Sequence, residues 1–189
     1  MSDAERTTAD RRRARTGRVT TAYLLTCAAI GVAAGVLLWG AAWFSSALFA
    51  VFPFISVALA GIWLLPATVA LRLLERPFAG ILVGVISGLV AFPFIGAAVW
   101  WAFMAELAFL VTLYRFWRTW QYYAGAVFVG VLYPILAAES FDLWAMPWGV
   151  LLGFFALTLA SCVAGVGLGI LVADRLRATG VAALARRRA

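Results

Sequence analysis

An uninterrupted stretch without charge, from Val19 to Leu71, limits the fold more than any other feature of this chain. A soluble domain needs charged side chains on its surface, and a stretch of this length provides none. One membrane-spanning helix takes about 20 apolar residues, so the stretch is long enough for two, which we separate at Ser45–Ser46. The whole chain is 66% hydrophobic and 12% charged, whereas soluble domains are about half apolar and a quarter charged. We therefore predict an all-α membrane protein.

The later apolar segments bring the prediction to a six-helix transmembrane bundle. Pro53 and Pro66 are expected to interrupt or kink the second helix, and turns with charged residues or proline separate the others. This predicts one transmembrane domain over residues 19–177, between Arg-rich tails at 1–18 and 178–189. The predicted helices cover residues 22–44, 47–74, 78–95, 97–117, 120–138 and 148–176.

The arginines give the predicted bundle a direction. All fifteen basic residues are arginine, and with six spans each falls in a tail, in the turn between helices 2 and 3, or in the turn between helices 4 and 5. The loop between helices 5 and 6 carries Glu139 and Asp142 instead. Because cytoplasmic segments are enriched in Arg, we predict that both termini are cytoplasmic. Basic residues that flank spans, rather than form one face of a fold, argue against a nucleic-acid partner.

Missing residue types exclude several kinds of chemistry. The chain contains no histidine, which removes the commonest general base and metal ligand. It has no GxxxxGK[ST] loop for nucleotide phosphates and no paired-aspartate motif of the lipid headgroup transferases. Cys27 and Cys162 both fall in apolar segments and are expected to be free thiols. These absences leave an enzyme little to work with, and we predict neither a cofactor nor a metal site.

Glu106 is the one ionisable residue clearly inside a predicted span. It lies nine residues before Arg115, about 13–14 Å along a helix, and so near the middle of the membrane. A carboxylate there costs several kcal/mol unless it faces a partner or a polar cavity. Either it is a protonated Glu hydrogen-bonded between helices, or it contacts a ligand. We favour the ligand, because the sequence provides no buried Arg or Lys to pair with it.

Aromatic residues add further candidates for a substrate site. Most tryptophans lie near predicted helix ends, as in an aromatic belt, but aromatic faces also attract organic cations. Two carboxylates and Trp144 could form the mouth of such a site at the outer face. The predicted substrate contacts are Glu106, Trp63, Trp39, Trp101, Glu139, Asp142 and Trp144.

Small residues recur at helical spacing in three predicted helices. Such stripes allow close approach of helices in lipid, and we favour packing within the bundle over contact with a partner protein. The stripes are Gly80, Gly84 and Gly88 in helix 3; Gly149, Gly153, Ala156, Ala160, Ala164 and Gly167 in helix 6; and Ala29 with Ala33 and Gly31 with Gly35 in helix 1.

Four stretches together resemble the substrate-binding (S) components of energy-coupling-factor (ECF) transporters, and among them the YkoE-like family. They cover helices 1 to 4 in the expected order, while helices 5 and 6 match in length and character. The stretches are residues 28–39, 61–66, 75–80 continuing into 86–89, and 105–109 followed by the aromatic-Arg segment 114–118.

This resemblance implies a protein of the bacterial inner membrane that captures a vitamin near the outer face and is not itself an enzyme. It also implies two kinds of partner, a transmembrane coupling (T) protein and two cytoplasmic ATPases. The YkoE-like group is associated with thiamine or its hydroxymethylpyrimidine precursor, and also with cobalt, which the lack of histidine and of any cluster of soft ligands disfavours. The contact with the coupling protein is expected at Ala29 and Ala33, with Gly31 and Gly35 as the overlapping alternative.

Two other functions stay open at this point. A stand-alone secondary transporter of a small organic cation would use titratable groups in broken helices, for which Glu106 is slender support. An enzyme that acts on lipid is disfavoured by the missing histidine and metal motifs.

Overall fold

The computed structural model describes residues 21–180, and this part of the chain is all-helical. The predicted tail at 1–18 and the end of the tail predicted at 178–189 lie outside the described residues. Six helices of twelve residues or more occur in the part described. They are α1 (Thr21–Val51), α2 (Ala60–Leu74), α3 (Ala79–Val90), α4 (Ile95–Val111), α5 (Thr119–Ala137) and α6 (Trp148–Ala178).

Four helical segments of the described chain are long and apolar enough to cross a membrane. They are Thr21–Phe49, Val57–Leu74, α5 and α6. The apolar helices α3 and α4 are shorter, with 12 and 17 residues, or about 18 and 26 Å at the usual rise. The hydrocarbon core of a bilayer is about 30 Å thick. The all-helical membrane fold is therefore as predicted, with two helices that fall short of a full span.

The boundary between α1 and α2 differs from the prediction. Ser45–Ser46 does not break α1, because the Ser46 hydroxyl donates to the carbonyl of Ala42 at 2.8 Å within the helix, a bond that serine forms readily in helices. The chain turns later, through a one-turn helix at Pro53–Ser56 and a 3-10 turn at Val57–Leu59. The expected interruption at Pro53 is thus confirmed, while Pro66 lies inside α2.

Helices α3 and α4 both end earlier than the sequence predicted. Helix α3 ends at Val90 instead of residue 95, as expected for a helix that approaches Pro93, because the residue before a proline disfavours the helical conformation. Helix α4 ends at Val111 instead of residue 117, where Leu113 and Tyr114 adopt positive φ angles of 49° and 55°. These two residues fold the segment 112–118 back toward the bundle.

Consecutive helices run antiparallel, so that alternate helices run in the same direction. Helix α3 packs on α4 with Gly84 against Ala102 and Gly88 against Ile95, and α4 packs on α5 through Trp101 and Tyr133. The bundle therefore has two ends. We call the end where α2, α4 and α6 finish the arginine end, because all six described arginines lie there. The opposite end is the cavity end.

Glycines hold α2 directly against α6. A Cβ on Gly61 would collide with the carbonyl of Ser161, and one on Gly165 with the carbonyl of Gly61. The Ser161 hydroxyl accepts a hydrogen bond from the Gly61 N–H at 2.9 Å and donates one to the Ala58 carbonyl at 2.6 Å. These bonds satisfy backbone groups at the 3-10 turn, where the regular helical ladder is interrupted.

The predicted small-residue stripes have different roles. Gly84 and Gly88 of α3 pack within the bundle, as expected. On α6, however, a Cβ added to Gly149 or Gly153 would have no described atom of another residue within 4 Å. The packing prediction is therefore wrong for these two glycines, and Gly165 and Gly169 form the contact with α2 instead.

Candidate functional site

A cavity of about 190 Å³ opens at the cavity end of the bundle. It lies where α1 and α5 finish and where α2 and α4 begin, so that four helices, the turn before α2 and the turn before α4 contribute to its wall. Its lining is Ala42, Ser45, Ser46, Ser56, Val57, Ala60, Trp63, Phe94, Ala97, Trp101 and Tyr133.

Aromatic rings form two parts of the cavity wall. The ring centroids of Trp101 and Tyr133 are 4.9 Å apart with their planes at 39°, and those of Trp63 and Phe94 are 6.5 Å apart in an edge-on arrangement. Ring faces and edges of this kind pack favourably against a flat aromatic molecule. The cavity is therefore suited to a planar ring.

Serines supply polar atoms to the same cavity. Because the Ser46 hydroxyl already donates its proton to the Ala42 carbonyl, its remaining capacity is as an acceptor. Ser45 and Ser56 add two more hydroxyl groups to the lining, and no described residue in that lining is Asp, Glu, Lys or Arg. The cavity thus combines aromatic faces with uncharged hydrogen-bonding groups.

A cluster of phenylalanines holds the connection between α1 and α2 next to the cavity. Phe49 packs on Phe141 with ring centroids 5.2 Å apart, Phe141 packs on Phe154 at 4.9 Å, and Phe54 packs on Phe154 at 5.9 Å. These contacts tie the connection to the α5–α6 loop and to α6. They fix the position of the neighbouring residue Ser56.

The structure brings together two of the seven predicted substrate contacts, Trp63 and Trp101, which both line the cavity. The other five lie elsewhere. Trp39 and Trp144 are 50% and 64% exposed, and the two loop carboxylates, Glu139 and Asp142, are also exposed.

The fifth, Glu106, is fully buried at the arginine end. One of its carboxylate oxygens accepts a hydrogen bond from the Ile81 N–H at 2.8 Å, and the other accepts one from the Tyr114 hydroxyl at 2.9 Å. Ile81 is in the first turn of α3, where backbone N–H groups lack partners within the helix and the helix dipole favours negative charge. Glu106 of α4 thus caps α3 from a neighbouring helix.

Glu106 lies nearer to the end of its helix than the predicted bounds implied. Since α4 ends at Val111 and not at residue 117, Glu106 is five positions from the helix end, about 7–8 Å along the axis. Gly80 makes room for it, since a Cβ there would lie 2.9 Å from the carboxylate.

Two ion pairs join α2 to α6 at the arginine end of the described chain. Arg72 contacts Asp174 at 3.0 Å, and Arg177 contacts Glu75 at 2.7 Å. Arg177 also donates to the carbonyl of Arg72, one of the last carbonyls of α2 that lack a partner within the helix. The charges at this end thus hold helices together.

An apolar groove of about 570 Å³ runs between α1, α2 and α6. Ala29 and Ala33 are exposed and line it, together with residues such as Pro66 and Val172.

The two small-residue pairs of α1 therefore face in different directions. Gly31 and Gly35 are buried against α3, where a Cβ would lie 2.6 Å from the Ile86 side chain and 2.5 Å from that of Val90. The Ala pair is open to a partner, whereas the Gly pair is used inside the bundle.

Sequence reasoning missed most of the cavity lining. It passed over Phe94, Tyr133 and all three serines, although Ser45–Ser46 was a visible polar pair that we interpreted as a helix break. As for metals, the described residues contain no group of three or more His, Cys, Asp or Glu side chains that could hold an ion.

Comparison with known proteins gives two matches. Residues 23–132 match the profile of a family described as "ABC-type cobalt transport system, permease component". A solved structure described as "Crystal structure of an S-component of ECF transporter" superposes with a TM-score of 0.75 over 87% of this chain and 89% of that chain, at 23% identity. At that identity the likeness shows the fold. No curated protein sequence matches the chain.

Proposed function

This chain belongs to the family of ABC-type cobalt transport system permease components, and from that premise we propose that it captures thiamine or its hydroxymethylpyrimidine precursor for an ECF-type importer. The family is one of transport components, so the chain is not an enzyme. It is a membrane protein with the fold of an ECF S component. The ligand, the orientation and the partner contacts are the proposed part.

We propose that all six helices cross the membrane, with the arginine end in the cytoplasm. Every described arginine is at that end, and the loop with Glu139 and Asp142 is at the other, as the excess of Arg in cytoplasmic segments requires. Helices α3 and α4 fall short of 30 Å on their own, and a short span is accommodated by local thinning of the bilayer. The cavity then opens toward the outside of the cell.

The cavity at the outer end is the observation that carries the ligand assignment. Trp101, Tyr133, Trp63 and Phe94 offer aromatic faces and edges to a flat heterocycle, and serine hydroxyls sit beside them. Binding sites for small molecules typically combine such apolar walls with a few convergent polar groups. A pyrimidine ring with polar substituents fits this description.

Cobalt, which the family's description names, matches this cavity poorly. Cobalt sites in proteins use nitrogen, sulfur or carboxylate ligands, and the described lining has none of their side chains. The whole chain also lacks histidine. The side chains available in the lining thus favour an organic ligand over cobalt.

The groove beside α1 supports a contact with the coupling protein. Ala29 and Ala33 present small side chains on an open apolar surface, which permits close approach of another transmembrane helix. Gly31 and Gly35 already serve the contact with α3. We therefore propose the Ala pair, and not the Gly pair, as the docking point for the T protein that works with two cytoplasmic ATPases.

Calorimetric titration of the purified chain tests the ligand. We expect saturable binding of thiamine or hydroxymethylpyrimidine without added ATPases, and none of Co²⁺. Protein that unfolds cooperatively on heating but binds neither organic ligand would overturn the assignment.

A further inference from the structure

We infer that the cavity selects an uncharged, single-ring heteroaromatic molecule with an amino donor, in preference to a two-ring cation. This inference rests on the proposed function and narrows its ligand. It follows from three properties of the cavity, which are its size, its charge and the hydrogen-bonding state of Ser46.

Size favours one ring. The cavity holds about 190 Å³, below the roughly 300–1,000 Å³ of usual ligand pockets. Trp101 and Tyr133 define one wall and Trp63 and Phe94 another. The space between these two walls thus suits one ring, and a second ring would lie at the open mouth of the cavity, outside the aromatic walls.

Charge favours a neutral ligand. Aromatic faces attract organic cations, but a cation that leaves water also needs a carboxylate or a similar partner to offset its desolvation, and no described residue of the lining carries one. Glu106 cannot serve, because both its oxygens are engaged at the arginine end by Ile81 and Tyr114. Glu139 and Asp142 are exposed on the α5–α6 loop, outside the lining.

Ser46 favours an amino substituent on the ring. Its hydroxyl proton is committed to the Ala42 carbonyl at 2.8 Å, so a ligand atom that meets this oxygen must be a donor. A ring amino group supplies N–H donors and a hydroxymethyl group an O–H donor, whereas a ring nitrogen or a carbonyl supplies none. Of these two donors we assign the amino group to Ser46.

A ligand series with a double-mutant cycle tests the inference. The probes are hydroxymethylpyrimidine with its amino group, the same ring without the amino group, and thiamine. They are titrated into the wild type, Ser46→Ala and the control Ser140→Ala, whose serine is exposed in the α5–α6 loop. Thermal unfolding of each variant verifies the fold.

We expect the aminopyrimidine to bind at least tenfold more tightly than thiamine. Ser46→Ala should weaken the aminopyrimidine about five- to tenfold, the usual value of one hydrogen bond, and leave the ring without the amino group unchanged, a coupling that only a direct contact produces. Thiamine binding as tight as that of the single ring, or an equal loss for both pyrimidines in Ser46→Ala, would overturn the inference while the proposed function stands. If neither ligand binds, both fail.

Discussion

The two ends of the bundle contain polar groups of different kinds. At the arginine end several charged groups have partners within the protein: Glu106 with Ile81 and Tyr114, Arg72 with Asp174, and Arg177 with Glu75. At the other end the cavity is lined by uncharged serines beside aromatic rings, and the loop carboxylates Glu139 and Asp142 lie outside that lining. The paired charges thus hold helices together, while the uncharged cavity is left available for a ligand.

The largest effect is expected where the arginine end loses its buried carboxylate. Glu106→Ala leaves the Ile81 N–H and the Tyr114 hydroxyl without their acceptor and opens a void, at a cost of about 2–4 kcal/mol. The apparent Tm in detergent should fall accordingly. Glu139→Ala, which removes an exposed carboxylate, is the control and should melt like the wild type. Equal Tm values for the two variants would refute the capping role.

A large effect on binding is expected at the opposite end. Trp101→Ala removes a ring from the cavity wall, and since stacking on an aromatic side chain contributes about 1–3 kcal/mol, the Kd for the bound heterocycle should rise about five- to 150-fold. Trp144→Ala removes a ring that is 64% exposed and should leave the Kd unchanged. Calorimetry on both variants makes the comparison, and an unchanged Kd in Trp101→Ala would place the ligand elsewhere.

A substitution in the groove beside α1 should reduce transport without changing ligand affinity. Ala33→Leu fills the open surface between α1, α2 and α6, so we expect at least a tenfold loss of uptake and of copurification with the T protein, with Kd for the ligand unchanged. Val32→Leu, one residue away on an exposed face outside the groove, should transport normally. Normal uptake by Ala33→Leu would argue against docking at this pair.

The smallest effect concerns the ion pair between α2 and α6. Asp174 is 45% exposed in its pair with Arg72, and exposed pairs contribute about 0–1 kcal/mol. Asp174→Asn should therefore lower stability by no more than about 1 kcal/mol and leave ligand affinity unchanged. A loss as large as that of Glu106→Ala would show that this pair carries more of the structure than its exposure suggests.

The helix order was predictable because it depends on local properties. Uncharged stretches between arginines set the number of helices and their alternation. The structure keeps that order, with most boundaries moved by a few residues and the start of α2 moved from residue 47 to Ala60. The predicted helix break at Ser45–Ser46 was wrong. A serine within a helix can donate its hydroxyl proton to a backbone carbonyl of the preceding turn, as Ser46 does to Ala42. The end of α4 was missed because it depends on positive φ angles at Leu113 and Tyr114. Leucine and tyrosine rarely adopt such angles, so the sequence does not indicate a turn there.

The site was harder to predict because its members come from distant positions. Glu106 accepts hydrogen bonds from Ile81, 25 positions away, and from Tyr114, which the turn after α4 brings back to it. No sequence pattern indicates that these three residues are in contact. Phe94 and Tyr133 are two of fourteen Phe and five Tyr residues, and no pattern distinguishes them from residues of an aromatic belt. Trp63 was easier to identify, because it lies inside a predicted helix and not at one of its ends.

The central claim is that the ligand binds in the cavity and not at Glu106. It is tested most directly by the ligand affinity of the variant Glu106→Gln. This change keeps the shape of the side chain and an acceptor oxygen but removes the charge. If the ligand binds at the uncharged cavity end, calorimetry on folded Glu106→Gln will give a Kd within about twofold of the wild type. A folded variant that has lost binding would contradict the account and make the buried carboxylate part of the ligand site.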